Sequence, residues 1–154
     1  MKIFIINFLI ANIFQLTSSA ILNQSILIEE YGFDIDSLEI DLSKKSIDSI
    51  DINSFKGYIK LEWLFLEKNK IKQLEYGLFN RLSNLRELWL ESNNIVSINK
   101  NAFLGLNKLE KVCLYDNPIS LIFPSNIIQL CDTNPSCNIT INQKCVKNTT
   151  SNLL

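Results

Sequence analysis

Apolar residues in this chain recur every 24 positions, and that period limits the fold more than any other feature. Leu61, Leu85 and Leu109 share one phase; Leu64, Leu88 and Val112 the next; Leu66, Leu90 and Leu114 a third. Asn69, Asn93 and Asn117 follow, then Ile71, Ile95 and Ile119, then Leu74, Ile98 and Ile122. Phe79, Phe103 and Ile127 continue the series, and Leu82, Leu106 and Leu130 close it. One unit earlier, Ile40, Leu42, Ile47, Ile50, Phe55 and Tyr58 fall on the same phases, while Ser37 and Lys45 depart from them. A period of this length is the mark of a stacked array of supersecondary units.

Within each unit the L-x-L segment alternates at period two, as a strand with one buried face does. The remaining apolar positions spread over an irregular return. One unit cannot bury its apolar face alone, so four must stack into a continuous core. The Asn of each unit sits where the chain leaves the strand, where its amide can satisfy backbone groups that would otherwise be buried unpaired. Asn69, Asn93 and Asn117 therefore read as a structural ladder. Phe55, Phe79 and Phe103 read as a core column on the return side rather than a ligand-binding aromatic box.

The pattern LxxLxLxxNxIxxI, followed by Phe and a final Leu, resembles the leucine-rich repeat family, in its 24-residue extracellular form. The resemblance covers residues 37–132 and implies units at 37–60, 61–84, 85–108 and 109–132. It implies an α/β-type repeat solenoid with short parallel concave strands and an irregular or 3-10 convex side. The chain departs from the family pattern at both ends: a Cys-rich N-terminal cap is missing, and the C-terminal cysteines are not in the commonest spacing. It is similar to small secreted invertebrate repeat proteins of immune type, and a shortened relative of a receptor ectodomain fits the same pattern. Such relatives act in recognition, a fold-level association.

The start of the chain reads as an export signal. Lys2 gives a charged head, Ile3–Leu16 an apolar run interrupted by Asn7 and Asn12, and Thr17-Ser18-Ser19-Ala20 a small-residue cleavage region, with Ser18 and Ala20 as the peptidase-facing pair. The run is shorter than the roughly 20 apolar residues a membrane span needs. Removing residues 1–20 takes the net charge from −1 to −2, since Lys2 is the one charge lost. No later stretch is long enough to span, and the tail from Val146 to Leu154 lacks a lipid-anchor end. A secreted, extracellular product follows, with glycan acceptors at Asn23, Asn138 and Asn148; Pro135 disqualifies Asn134.

A solenoid exposes apolar surface at each end unless capped. Residues 21–36, with Ile26-Leu27-Ile28 and Tyr31–Ile35, read as an irregular N-terminal cap containing a strand; residues 133–154 read as a Cys-containing C-terminal cap and polar tail. Cys137-Asn-Ile-Thr-Ile alternates briefly, as an edge strand would. All four cysteines follow the cleavage region, where disulfides are their expected fate. Three connectivities are open. Cys137 lies one period after Cys113, so if the phase persists they are lateral neighbours about 4.8 Å apart, which a disulfide accepts. Cys131 would then pair with Cys145, in a pattern similar to the family's C-terminal caps.

Composition removes several functions. The chain has no His, so His-dependent triads and zinc-protease motifs are excluded. There is no cationic excess to bind nucleic acid, no phosphate loop and no nucleophile elbow. On the strands, residues flanking the buried leucines point to the concave side: Glu39, Asp41 and Ser43; Trp63, Phe65 and Glu67; Glu87, Trp89 and Glu91; Lys111, Cys113 and Tyr115. Glu67 and Glu91 share a row, but nothing supplies the further oxygens a calcium site needs, so they read as solvated surface. No catalytic residue, metal or cofactor is expected. The expected function is a protein-binding module whose concave strip of Trp63, Phe65, Glu67, Glu87, Trp89, Glu91, Lys111 and Tyr115 takes a partner carrying basic groups. The competing reading is a structural or extracellular-matrix protein in which the solenoid is scaffold and glycans or the ends make the contacts.

Overall fold

The computed structural model describes residues 20–121, 138–140 and 145. The export segment up to residue 19, Cys131, Cys137 and Asn148 lie outside the described residues.

Each unit contributes a three-residue strand where the L-x-L pattern alternates. Strand β1 (Ile21–Leu22) opens the cap, followed by a π-helical turn at Ile26–Glu30. Then come β2 (Glu39–Asp41), β3 (Ser49–Ile50), β4 (Trp63–Phe65), β5 (Gln73–Leu74), β6 (Glu87–Trp89), β7 (Ser97–Ile98), β8 (Lys111–Cys113), a 3-10 turn at Pro118–Leu121, and β9 (Asn138–Thr140). Strands β2, β4, β6, β8 and β9 form a five-stranded parallel sheet in that order, with β1–β3 and β5–β7 as separate two-stranded pairs. Ile40, Leu64, Leu88, Val112 and Ile139 lie side by side across the main sheet. The fold is a leucine-rich-repeat solenoid of stacked parallel strands with little helix.

The core is one continuous column. Leu61, Leu64, Leu66, Ile71, Leu85, Leu88, Leu90 and Ile95 are fully buried. On the return side the rings of Phe55 and Phe79 lie 6.1 Å apart and those of Phe79 and Phe103 6.4 Å apart. The polar counterpart is the Asn ladder. Asn69 Nδ2 donates to the carbonyls of Leu42 and Leu66, at 2.9 and 2.8 Å. Asn93 Nδ2 donates to Leu66 and Leu90, and Asn117 Nδ2 to Leu90 and Leu114. Each Asn Oδ1 accepts a backbone N–H from the preceding unit: Ile47 for Asn69, Ile71 for Asn93, Ile95 for Asn117. The buried turns are thereby paired without a sheet of their own.

The direction of that ladder explains why the first unit departs from the pattern at Lys45. Each Asn reaches back to the unit before it, and the first unit has none, so Lys45 replaces Asn; its ammonium instead sits 4.9 Å from the ring centroid of Tyr31. Tyr58 takes the place of the final Leu because the cap lies there: its hydroxyl donates to the carbonyl of Phe33 at 3.1 Å. Burial pushes the Tyr58 phenol above its usual value, with the charge of Asp34 adding to the effect. Cap residues Leu22 and Leu27 are buried against this unit. Gly105 marks a close approach on the return side: it holds φ +86°, and a Cβ there would meet the Asn80 carbonyl oxygen at 3.0 Å.

The C-terminal pairing differs from the one expected. Cys113 is bonded to Cys145, with Cα atoms 6.1 Å apart, and not to Cys137; Cys145 is therefore not paired with Cys131. The 24-residue phase does not persist into the cap. Thr140 rather than Cys137 is the neighbour of Cys113 across β8 and β9, so the connection carries three more residues than a repeat.

Candidate functional site

Alternation sends one set of strand side chains into the core and the other to the outward face of the five-stranded sheet. That face carries two rows on the strands. One runs Glu39, Trp63, Glu87, Lys111; the other runs Asp41, Phe65, Trp89, Cys113, Thr140. Residues just beyond the strands add Ser43, Glu67, Glu91 and Tyr115.

The two ends of the face are unlike. At the first two strands Glu39 and Asp41 are exposed and Trp63 and Phe65 are half-buried. At the third and fourth, Trp89 retains only 1% exposure. Its ring meets that of Phe65 at 6.0 Å, the Lys111 ammonium lies 4.3 Å from the Trp89 ring centroid, and Cys113 and Cys145 pack against it as a small second core. The indole Nε1–H donates to Glu87 Oε2 at 2.9 Å, and the same oxygen lies 3.9 Å from Lys111 Nζ. Indole, carboxylate and ammonium thus satisfy one another.

Two expectations are corrected here. Trp89 is not an accessible contact residue of the concave strip; it is buried because the chain returns at Cys145 and seals it. Glu67 and Glu91 are not solvated: they retain 8% and 9% exposure. Glu91 Oε1 accepts the backbone N–H of Cys145 at 2.8 Å, so this carboxylate anchors the returning chain. Tyr115, 38% exposed, remains at the surface. Half-buried Lys111 is engaged with Glu87 and Trp89.

Sequence reasoning did not find the role of Cys145, because no spacing rule ties residue 145 to residue 91 or 113. Glu39 and Asp41 belong with Trp63 and Phe65 as the accessible part of the face; the signal was their place one repeat upstream. Among the described residues no cluster of three His, Cys, Asp or Glu side chains could hold a metal ion. Among them, too, no helix is long and apolar enough to cross a membrane.

A family model described as leucine rich repeat matches residues 38–95 and, in an overlapping second match, 72–119. Together these span more than half of the chain. No curated protein sequence matches it.

Proposed function

The chain belongs to the leucine-rich repeat family, commonly a protein-interaction scaffold, and on that premise we propose that it is a secreted binding module that grips a protein partner on the concave, outward face of its sheet. The observation that carries this reading is the accessible end of that face: half-buried Trp63 and Phe65 beside exposed Glu39 and Asp41. Aromatics set in a charged rim are the side chains that dominate interface energetics. The carboxylates select a partner with Lys or Arg groups and make its association salt-sensitive. The buried Trp89 flanks this surface through its ring contact with Phe65, and Glu91 holds the returning chain, rather than touching the partner.

The extracellular 24-residue form of the repeat, the export segment and the sequons support the secreted setting, and recognition at a cell surface or in innate immunity is the role such a module would serve. Affinity capture from the source's extracellular fluid, with cross-linking and mass spectrometry, supplies the partner. Trp63→Ala and Asp41→Asn should then each weaken its binding about tenfold or more, as hot-spot truncations do, with melting temperature nearly unchanged. Unchanged affinity in both variants overturns the surface assignment. Self-assembly or matrix-glycan binding by a protein that captures no partner supports the scaffold reading instead.

A further inference from the structure

Ala20 is tied to the fold on both sides of its peptide unit. Its backbone N–H donates to Asp48 Oδ2 at 2.8 Å, and its carbonyl accepts the Asp48 N–H at 3.0 Å. The contact continues the parallel pairing of β1 with β3, in which Ile21 faces Ser49 and Leu22 faces Ile50. Beyond it the Leu22 carbonyl accepts Asp51 N–H at 2.8 Å and Ser54 Oγ–H at 2.8 Å. The pairing of the cap with the first unit therefore begins at Ala20, one residue before the strand.

We infer that the mature chain begins at Ala20, through cleavage of the Ser19–Ala20 bond, and that the new α-ammonium docks on the Asp48 carboxylate. This rests on the export reading. Thr17 and Ser19 present the small side chains a signal peptidase requires, one residue ahead of the Ser18 and Ala20 pair. Hydrolysis breaks the C–N bond: the hydroxyl of water goes to the Ser19 carbonyl carbon and its hydrogen to the Ala20 nitrogen. That nitrogen takes up a further proton from solvent, because an α-amine is largely protonated at neutral pH. The bond to the Asp48 carboxylate, already charge-assisted on its acceptor side, thus gains an ionised donor as well and becomes an ion pair. Cleavage one bond later would remove Ala20 and with it both hydrogen bonds to Asp48. The peptidase reads an extended chain and is not steered by Asp48; the fold shows which product it is built to use. Ala20 also borders an open cleft of about 560 Å³ lined in part by Glu30, Lys44 and Lys45, so the ammonium stays within reach of water and its pairing is open to salt screening.

The test has two arms. The full chain is expressed in a secreting eukaryotic host and the exported protein is sequenced from its N-terminus. A start at Ala20 supports the inference. A start at Ile21 or later overturns it while leaving export intact, whereas an intracellular product retaining Met1 overturns export and this inference together. In the second arm, chains beginning at Ala20 and at Ile21 are released from a fusion without added residues. The Ala20 form should melt about 3 °C higher, the shift expected for roughly one hydrogen-bonded charge pair in a domain of this size. That gap should narrow in Asp48→Asn, which keeps the backbone bond from residue 48 to the Ala20 carbonyl, and narrow at 1 M salt, where the screening length is about 3 Å. Equal melting of the two forms overturns the docking of the ammonium.

Discussion

Cys113 and Cys145 are joined by a disulfide on the outward face of the sheet, and the bridge lies against Trp89. Cys113 projects from β8 as strand alternation requires, while Cys145 returns to it from 32 residues away, held also by its backbone hydrogen bond to Glu91. One covalent contact thus ties the C-terminal cap to the sheet and removes the second tryptophan from the accessible surface.

Peptide mapping of the unreduced protein should recover Cys113 linked to Cys145. A Cys113→Ser, Cys145→Ser double variant should lose about 2–4 kcal/mol of stability. Its tryptophan emission should shift to the red as Trp89 becomes wetter. A Cys113–Cys137 peptide in the map would restore the unbroken 24-residue phase and refute the cap register.

The two tryptophans should behave oppositely. Trp89→Ala removes a buried ring and should cost about 3 kcal/mol, whereas Trp63→Ala, on the same face and half-buried, should cost within about 1 kcal/mol. Urea melts of the two variants measure the difference; equal losses would show that the two ends of the face are sealed alike.

Asn93→Ala should cost about 2–3 kcal/mol, because the Ile71 N–H loses its acceptor in a buried turn. The carbonyls of Leu66 and Leu90 each keep one donor, from Asn69 and Asn117, which limits the damage. Hydrogen exchange should report the loss first at Ile71.

Lys44, Lys68, Ser92 and Asp116 hold positive φ at the same point of successive units, 60°, 59°, 53° and 58°. Lys68 is exposed, so its side chain contributes little to offset that backbone cost. Lys68→Asn should stabilise the chain by about 0.5 kcal/mol, since Asn accepts the left-handed region more readily. A lower denaturation midpoint would show that Lys68 makes a contribution beyond its backbone.

Tyr58 links stability to alkaline pH. Its phenol pKa is raised by burial and by Asp34, so the folded state holds the proton longer than the unfolded one. The stability this represents is fully present below about pH 10, the unfolded value, and is lost as pH rises through the folded value. Tyr58→Phe should cost about 1 kcal/mol at neutral pH, through the hydrogen bond to Phe33. It should also flatten the alkaline decline. Tyr31, whose pKa is raised by burial and by Glu30, leaves a residual slope.

What the sequence determined by itself is the repeat and what the repeat entails. Leu64, Leu88 and Val112 are inward because period-two alternation is a local property of each strand. Asn69, Asn93 and Asn117 recur because every turn poses the same hydrogen-bonding problem. The aromatic column of Phe55, Phe79 and Phe103 follows from stacking like on like. Tertiary structure alone decided the ends and the covering of the outward face. No period governs how many residues separate β8 from β9, so the three-residue excess that sets Thr140, and not Cys137, beside Cys113 is invisible in the spacing. Nor does alternation tell an outward side chain in water from one sealed by a distant segment. Trp63 precedes its strand leucine and Trp89 follows its own, so alternation sends both outward alike, and the return of Cys145 makes one half-buried and the other core.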